Sequence, residues 1–522
     1  MLNNYIDDYL KIGIALSSEK DINKLLEMIL TQARKVSKAD AGTLYILNEK
    51  SLEFAIVQND TLNVSIGGDG KKPSLPDVPL FVNNEPNHAN VSSHVALTGE
   101  IVNIPDVYNA KGFDFTGPRK YDAATGYRSK SMIVIPMVDH ENQTIGILQL
   151  LNSVSKDTDD VVAFSEGNVK VVASLASMAA VALVNNQLLN SLKNLLDAFI
   201  KSIATAIDKK SAYTGGHIRR VADLTVEIAR EISKTKNGFF ENHKFSDDEM
   251  EELRLAAWMH DVGKITTPEY IVDKSTKLET IFDRIEFVEQ RFQTIGQILE
   301  NDFLKSKIKL IESGDEKKIK PLEKKHISSV KTLKDNLVFL ESCNNTGDFM
   351  SDDDVERVES IAKSTYTVDG ESYPYLTENE MINLSIRKGT LLPDERSIIE
   401  NHVVMTSKIL EQLPFPEKLT NVPIYAGDHH EKCDGSGYPR GVTCDELPLQ
   451  SRIMVIADVF EALTAADRPY RAPLKLSRAL QILEFMMKDN HIDENIYNFF
   501  INNELLMRYA RRELNPEQID VK

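Results

Sequence analysis

The chain has 522 residues, a formal charge of −18 at pH 7, 42% hydrophobic and 27% charged residues. That length allows two to four domains, each burying its own core, and the composition is that of ordinary globular proteins. The acidic balance argues against broad affinity for nucleic acid or anionic membranes, so a small anionic ligand needs a local basic pocket.

The first residues, MLNNYIDDYLKIG, lack the basic start and apolar run of a signal peptide. No stretch reaches about 18 uninterrupted apolar residues, so no membrane insertion is expected. A helix is predicted over about 20–38, then strands at 42–47, 52–58, 101–104, 131–138 and 144–151. SMIVIPMV, DHEN and QTIGILQLL form a predicted hairpin, and a long helix starts near Ser165. Helix, antiparallel sheet, helix is an α+β sensor layout. Together with TLYIL, NIPDVY, TGYRSKSMIVIPM and IGILQLLN, it resembles a GAF domain. NIPDVY…TGYRS is close to the cyclic-nucleotide-binding subset of that family. The subset's Asn-Lys…Phe…Asp-Glu motif is only partly kept: Asn152 and Phe164 stand in place, but Ser153, Asn168 and Val169 replace the charged residues. The resemblance therefore leaves cyclic-nucleotide binding, another small ligand and dimerisation equally open, and the ligand unknown.

Past the Ala/Val-rich stretch, Leu189, Leu192, Leu196, Phe199 and Ile203 recur in alternating steps of three and four. This is a coiled-coil-like seam, predicting a parallel homodimer joined along a signalling helix. The alternative is one long helix packed on its own domains.

Seven residues of the C-terminal half stand out: His217, His260, Asp261, His402, His429, His430 and Asp458. They include five of the chain's 11 histidines. Imidazole and carboxylate are ligands for Mn, Fe, Co or Zn, and no single helix could present all seven. Their spacing suits bundle helices converging on a buried dinuclear centre, the usual device for cleaving a phosphodiester. Asp458 interrupts the apolar run IMVIA, where an acid has few structural excuses. His429 and His430 diverge on a regular helix and converge only at an irregular helix end.

The surrounding words are TGGHIRRV, AAWMHDVGKI, ENHVVMTSKIL, DHHEKCDGSGYPRG and RIMVIADVFEAL, followed by DRPYR. In that order they resemble the HD-GYP family, the HD-superfamily hydrolases that open cyclic di-GMP. His260-Asp261 is the HD pair and Gly437-Tyr438-Pro439 the signature loop. The resemblance implies two divalent metals, Mn or Fe. One is held by His217, His260, Asp261 and Asp458, the other by bridging Asp261 with His402, His429 and His430. A third metal would use a glutamate four residues before His217, where this chain has Tyr213. Lys264, a turn past Asp261, is placed to act on the scissile phosphate, and Arg468 and Arg471 to hold the second phosphate or a guanine edge. Gly435 and Gly437 are expected to permit turn conformations closed to other residues. Tyr438 is expected to support that loop.

His260 and His402 lie 142 positions apart, far more than is usual in the family. TPEYIVDKSTKL and RKGTLLPDERSIIENH read as the two halves of a split connection, leaving roughly 280–385 as an insertion. Its first part predicts a helical hairpin with His326 on a solvated face; its second part, STYTVDGESYPYLT, is turn-rich. A lid or docking role is expected of it. Cys343, Cys433 and Cys444 show no paired framework, which fits a reducing cytoplasm, and Cys433 reads as a plain thiol.

The expected organisation is a GAF sensor at 1–165, a signalling helix at 166–207 and an all-α HD-type bundle at 208–522 with a helical insertion. The resemblance implies hydrolysis of cyclic di-GMP to pGpG, with onward cleavage to GMP as a further step. The alternatives are a phosphodiesterase for another cyclic dinucleotide, a signalling scaffold with little turnover, or a mononucleotide hydrolase.

Overall fold

The computed structural model describes residues 19, 21–68, 73–155, 158–210, 216–345, 349–466 and 473–521. The chain divides into two units, Met1–Leu196 and Asp197–Lys522. The segment MLNNYIDDYLKIG, Tyr213, Arg468 and Arg471 lie outside the described residues.

The first unit is built on a sheet in the order β3-β2-β1-β6-β5-β4. The strands along this path are β1 (Ala39–Leu47), β2 (Ser51–Asn59), β3 (Val64–Ile66), β4 (Val102–Ile104), β5 (Met132–Val138) and β6 (Thr144–Val154), and the short strands Val78–Pro79 and Val161–Val162 pair with β2 and β6. All the ladders between them are antiparallel. Successive side chains of a strand point to opposite faces, and the sequence uses that period on both sides. Leu44, Ile133, Ile135, Met137, Leu148 and Leu150 face α1 (Ile22–Ser37) and the first half of the long helix. Tyr45, Met132, Val134 and Ile147 face α2 (Val91–Thr98) and its neighbouring loops. Asp21 caps α1, accepting from the N–H groups of Asn23 and Lys24, which satisfies two orphan donors. A further helix, α3 (Thr116–Thr125), precedes the hairpin strands.

The charged motif lost at Ser153 and Asn168 is replaced by neutral hydrogen bonds. Ser153 donates to the Ser37 carbonyl at 2.9 Å and the Asn168 amide to the same oxygen at 3.4 Å. Asn152, in a left-handed conformation at φ 56, accepts from Lys130 N–H and donates to Tyr127 and Arg128. The fold is kept without the ion pair, and the sheet still encloses a cavity of about 540 Å³ beside Tyr45, Phe54, Phe115, Tyr121, Met132 and Gln149.

The helix α4 (Glu166–Lys210) is 45 residues long. Val172, Leu175, Ala176, Ala179, Ala180 and Leu183 enter the core of the first unit. Leu188, Leu189, Leu192, Leu195, Leu196 and Phe199 are exposed. By length and composition alone this helix is apolar enough to cross a membrane, although a third of its most apolar window is buried in the protein. Asn and Gln break the run, while Ala, Val and Leu keep the average high.

The second unit is helical. Its core joins α5 (His217–Lys234), α6 (Asp247–Met259), α11 (Pro393–Leu410), α12 (Val422–Gly427), α13 (Leu449–Thr464) and the C-terminal helices α14 (Leu476–Lys488), α15 (Glu494–Ile501) and α16 (Glu504–Glu513). The insertion contributes α7 (Ile285–Glu312), α8 (Ile319–Asn344), α9 (Asp352–Ala362), a hairpin of β7 (Thr365–Val368) and β8 (Glu371–Pro374), and α10 (Glu378–Leu384). Asp369-Gly370 turns that hairpin with both φ angles positive, as a two-residue turn requires. Leu278, Val288, Phe292, Ile295, Leu340, Val358, Ile361 and Leu384 give the insertion a core of its own.

Two expectations fail here. His326 is not on a solvated face: its ring stacks on Phe303 at 4.4 Å and its Nε2 lies 2.8 Å from Glu300, because α7 and α8 pack along that side. Cys433 and Cys444 are paired as a disulfide, since the loop between them folds back on itself. Cys343 alone is a free thiol, so the cysteines carry no sign of a reducing compartment.

Candidate metal centre

Five chain segments bring the seven residues together. His217 opens α5, directly after Gly216 at φ 92. His260 closes α6 and Asp261 starts a short 3₁₀ turn. His402 lies within α11, His429 and His430 sit in the turns past α12, and Asp458 lies in the middle of α13. The irregular helix end expected of the His pair is therefore present. Gly263 lets α11 approach: a Cβ there would lie 1.9 Å from the His402 carbonyl oxygen. Gly263 N–H donates to Thr406 Oγ1, and that hydroxyl donates to the His260 carbonyl, each at 2.9 Å.

Asp261 sits between two groups. Its Oδ2 is 3.6 Å from His217 Nε2 and 3.3 Å from His260 Nε2; its Oδ1 is 3.4 Å from His402 Nε2 and 3.8 Å from His429 Nε2. His217, His260 and Asp458 form one cluster able to hold a metal, and His402, His429 and His430 another. Lys264 Nζ lies 2.6 Å from Asp261 Oδ2. Six of the seven residues are buried and His430 partly so.

The imidazoles are oriented from behind. His260, His402 and His429 each place Nδ1 on the main-chain carbonyl three residues earlier, at 2.8, 2.5 and 2.7 Å. A carbonyl only accepts, so Nδ1 carries a proton and Nε2 is the ring nitrogen that faces inward. The Nε2 atoms of His402 and His429 thus face each other across 3.3 Å. His260 Nε2 and Asp261 Oδ1 are buried without a hydrogen-bond partner. Such orphaned acceptors are costly unless a cation sits among them. The donor set fits a divalent metal.

Charge divides the two clusters. Burial opposes protonation of His217, yet its hydrogen bonds to Asp261, Asp458 and Glu461 outweigh that and hold it well above the usual imidazole range. Burial would raise Asp458, but His217, His260 and His429 hold it well below the ordinary carboxylate value. His429 is driven well below by burial and by neighbouring His430 and His260. Burial likewise lowers His430 to about 4.

The G-Y-P loop backs the His pair. Tyr438 stacks on His430. Glu431 accepts from Arg440 and Val442 N–H, and Asp428 from Arg440 and Ser451. Gly435 has φ 79, as a left-handed turn demands. Gly437 does not; its role is space, because a Cβ would lie 2.5 Å from Glu431 Cα. That corrects the torsional reading of Gly437.

Sequence reasoning missed Glu461 and Arg220. Glu461 Oε2 receives His217 Nδ1, and its Oε1 lies 2.6 Å from Arg220 Nε. The signal was available: Glu461 follows Asp458 by three residues in the same apolar helix, hence on the same face.

The family model for the GAF domain matches residues 21–183, and two models for the HD domain match 214–333 and 378–496. The chain thus carries a GAF domain followed by an HD domain. The second HD match resumes at α10, the last helix of the insertion. This GAF–HD chain is similar to the 3'3'-cGAMP-specific phosphodiesterase 3 of Vibrio cholerae, 44% identical over 19% of this chain and 20% of that one. It is similar to the cyclic di-GMP phosphodiesterase of Thermotoga maritima, 31% identical over 25% of this chain and 35% of that one. The chain thus spans about a fifth to a third of the length of these relatives. Its first unit also aligns with the GAF domain from an Acinetobacter phosphoenolpyruvate-protein phosphotransferase, at 16% identity, a TM-score of 0.26, and coverage of 36% of this chain and 96% of that one.

Proposed function

We propose that the chain is a GAF-regulated, metal-dependent phosphodiesterase that opens cyclic di-GMP to linear pGpG. The observation that carries this reading is Asp261, with one carboxylate oxygen facing each of two imidazole clusters. Two divalent ions, Mn or Fe, held by His217, His260, Asp261 and Asp458 and by Asp261, His402, His429 and His430, would activate water and neutralise phosphoryl charge. Lys264, beside Asp261, supplies a fixed cation toward the scissile phosphate. Arg468 and Arg471 are assigned to the substrate's second phosphate or guanine edge by resemblance alone. The Gly437-Tyr438-Pro439 loop holds His430 in place.

Residues 1–165 act as the sensor, 166–207 as the signalling helix and 208–522 as the catalytic domain, with the insertion at 280–385. The cavity inside the GAF sheet is the place for a small ligand. The exposed seam at Leu189, Leu192, Leu196 and Phe199 supports a homodimer, and the reading places the enzyme in the cytoplasm.

A second substrate is favoured by a specific observation: the relative with 44% identity carries a name specific to 3'3'-cGAMP. Anaerobic purification with metal analysis, then turnover of cyclic di-GMP and 3'3'-cGAMP with Mn or Fe(II), tests the reading. The expected result is about two metals per chain and metal-dependent linear product. Tight cyclic dinucleotide binding without product, on metal-loaded protein, would make the chain a scaffold instead.

A further inference from the structure

Three of the buried imidazoles hand their Nδ1 proton to a main-chain carbonyl. His217 alone hands it to a carboxylate, Glu461 Oε2. Glu461 is itself 1% exposed, and its second oxygen is held by Arg220 Nε at 2.6 Å. A carboxylate is a stronger acceptor than a peptide carbonyl, so it fixes the ring more firmly and makes Nε2 a better donor. The charge around the two clusters differs in the same sense. His217 Nε2 lies 3.3 Å from Asp458 Oδ1 and 3.6 Å from Asp261 Oδ2, with Glu461 behind it. In the other cluster His402 and His429 lie 3.4 and 3.8 Å from Asp261 Oδ1, and main-chain carbonyls rather than a carboxylate stand behind their rings. A divalent ion in a dry site is held according to the negative charge facing it.

We propose that Glu461, clamped by Arg220, is a positioning residue for His217 that makes the His217–His260–Asp458 half the tightly held metal position. The His402–His429–His430 half is then the readily exchanged one. This inference rests on the metal-centre reading above. Its consequence is regulatory: scarcity of metal empties one half first, so activity follows metal supply while the other half stays loaded.

Cobalt(II) serves as the probe, through its visible spectrum. Full-length apoprotein loaded with about two equivalents and challenged with EDTA should release cobalt in two phases. The slow phase is assigned to the His217 half. Glu461→Gln keeps the side chain's shape and one acceptor oxygen but removes the charge. It should accelerate the slow phase about 10–100-fold and leave the fast phase unchanged. Arg220→Gln loosens the clamp without touching Glu461 or a proposed ligand, and should accelerate the same phase by a smaller factor. It is the second variant should Glu461→Gln fail to fold, with helical circular dichroism as the folding control. His430→Ala should abolish the fast phase only. A slow phase within threefold of the parent in a folded Glu461→Gln or Arg220→Gln overturns the proposal. So does loss of the slow phase in His430→Ala. An apoprotein that takes up no cobalt overturns the metal-centre reading itself, and this inference with it.

Discussion

The ring of Tyr438 lies on that of His430, with centroids 4.9 Å apart and planes inclined by 25°. Its N–H donates to the His430 carbonyl at 3.2 Å. The signature loop therefore packs against an imidazole of the second cluster. Tyr438→Phe keeps the stack and should leave metal content and turnover within about twofold. Tyr438→Ala should weaken metal binding at the His402–His429–His430 half by about tenfold, the lower end of what orienting partners contribute. Isothermal titration with Mn(II) measures this, and Tyr438→Ala titrating like the parent removes the stacking role.

Asp261 faces both clusters with separate oxygens, so its loss should not be confined to one metal. Asp261→Ala is expected to lower metal content to below one per chain and to abolish turnover. Elemental analysis after gel filtration checks it. A His260→Ala/Asp261→Ala protein that kept two metals and the parental rate would sink the site assignment.

Lys264→Ala should separate chemistry from metal binding. The lysine contacts Asp261 Oδ2 at 2.6 Å but brings a positive charge, which metals do not recruit. Metal content should be retained and turnover fall about 10²–10³-fold, the effect of removing one charge-stabilising group. Metal loss as large as that of Asp261→Ala would show that the lysine only supports the carboxylate.

The two clusters should respond differently to pH. His217 is raised well above its ordinary 6.5, so metal-free protein carries a proton there at neutral pH. Metal binding at that half must expel it, and affinity should rise with pH through the neutral range. His430 is lowered to about 4, so its coordination expels no proton from that ring above about pH 5. Calorimetry in two buffers of different ionisation heat should therefore find proton release on loading the His217 half. In the apoprotein the signs also differ. The stability that His217 contributes is complete below 6.5 and is lost as pH rises through its raised value. That of His430 is present above 6.5 and is lost as pH falls toward 4.

The insertion is expected to limit substrate access in response to the state of the GAF domain. Excising 280–385 with a short linker should preserve metal content and raise turnover severalfold at subsaturating substrate. Kinetics identical to those of the full chain would leave the insertion without a catalytic role.

Much of the fold could be read from the sequence, because strand alternation and helix periodicity are local. The hairpin from Met132 to Val154 and the onset of the long helix near Ser165 are examples. The convergence of the seven acid and imidazole residues was legible from motif words; their role as ligands is the proposal above. What escaped depends on partners distant in the chain. His326 reads as exposed in a Lys/Glu-rich stretch, and only the neighbouring helix supplies Phe303 and Glu300. Gly263 looks like a turn residue until α11 is seen to cross it. Glu461 was within reach, through its spacing from Asp458, but an acid three residues from another looks like a solvated pair until burial is known.

The two ends of the insertion meet. Lys277 Nζ reaches the Leu384 carbonyl at 3.2 Å, Lys274 Nζ reaches Asn383 and Glu395, and Thr390 donates to the Lys274 carbonyl. A segment that leaves and re-enters a bundle at one point asks of its host only a loop closure, and that cost grows slowly with length. The site between α6 and α11 is thus a socket. Different passengers, or none, could occupy it over evolutionary time while Asp261 and His402 kept their separation.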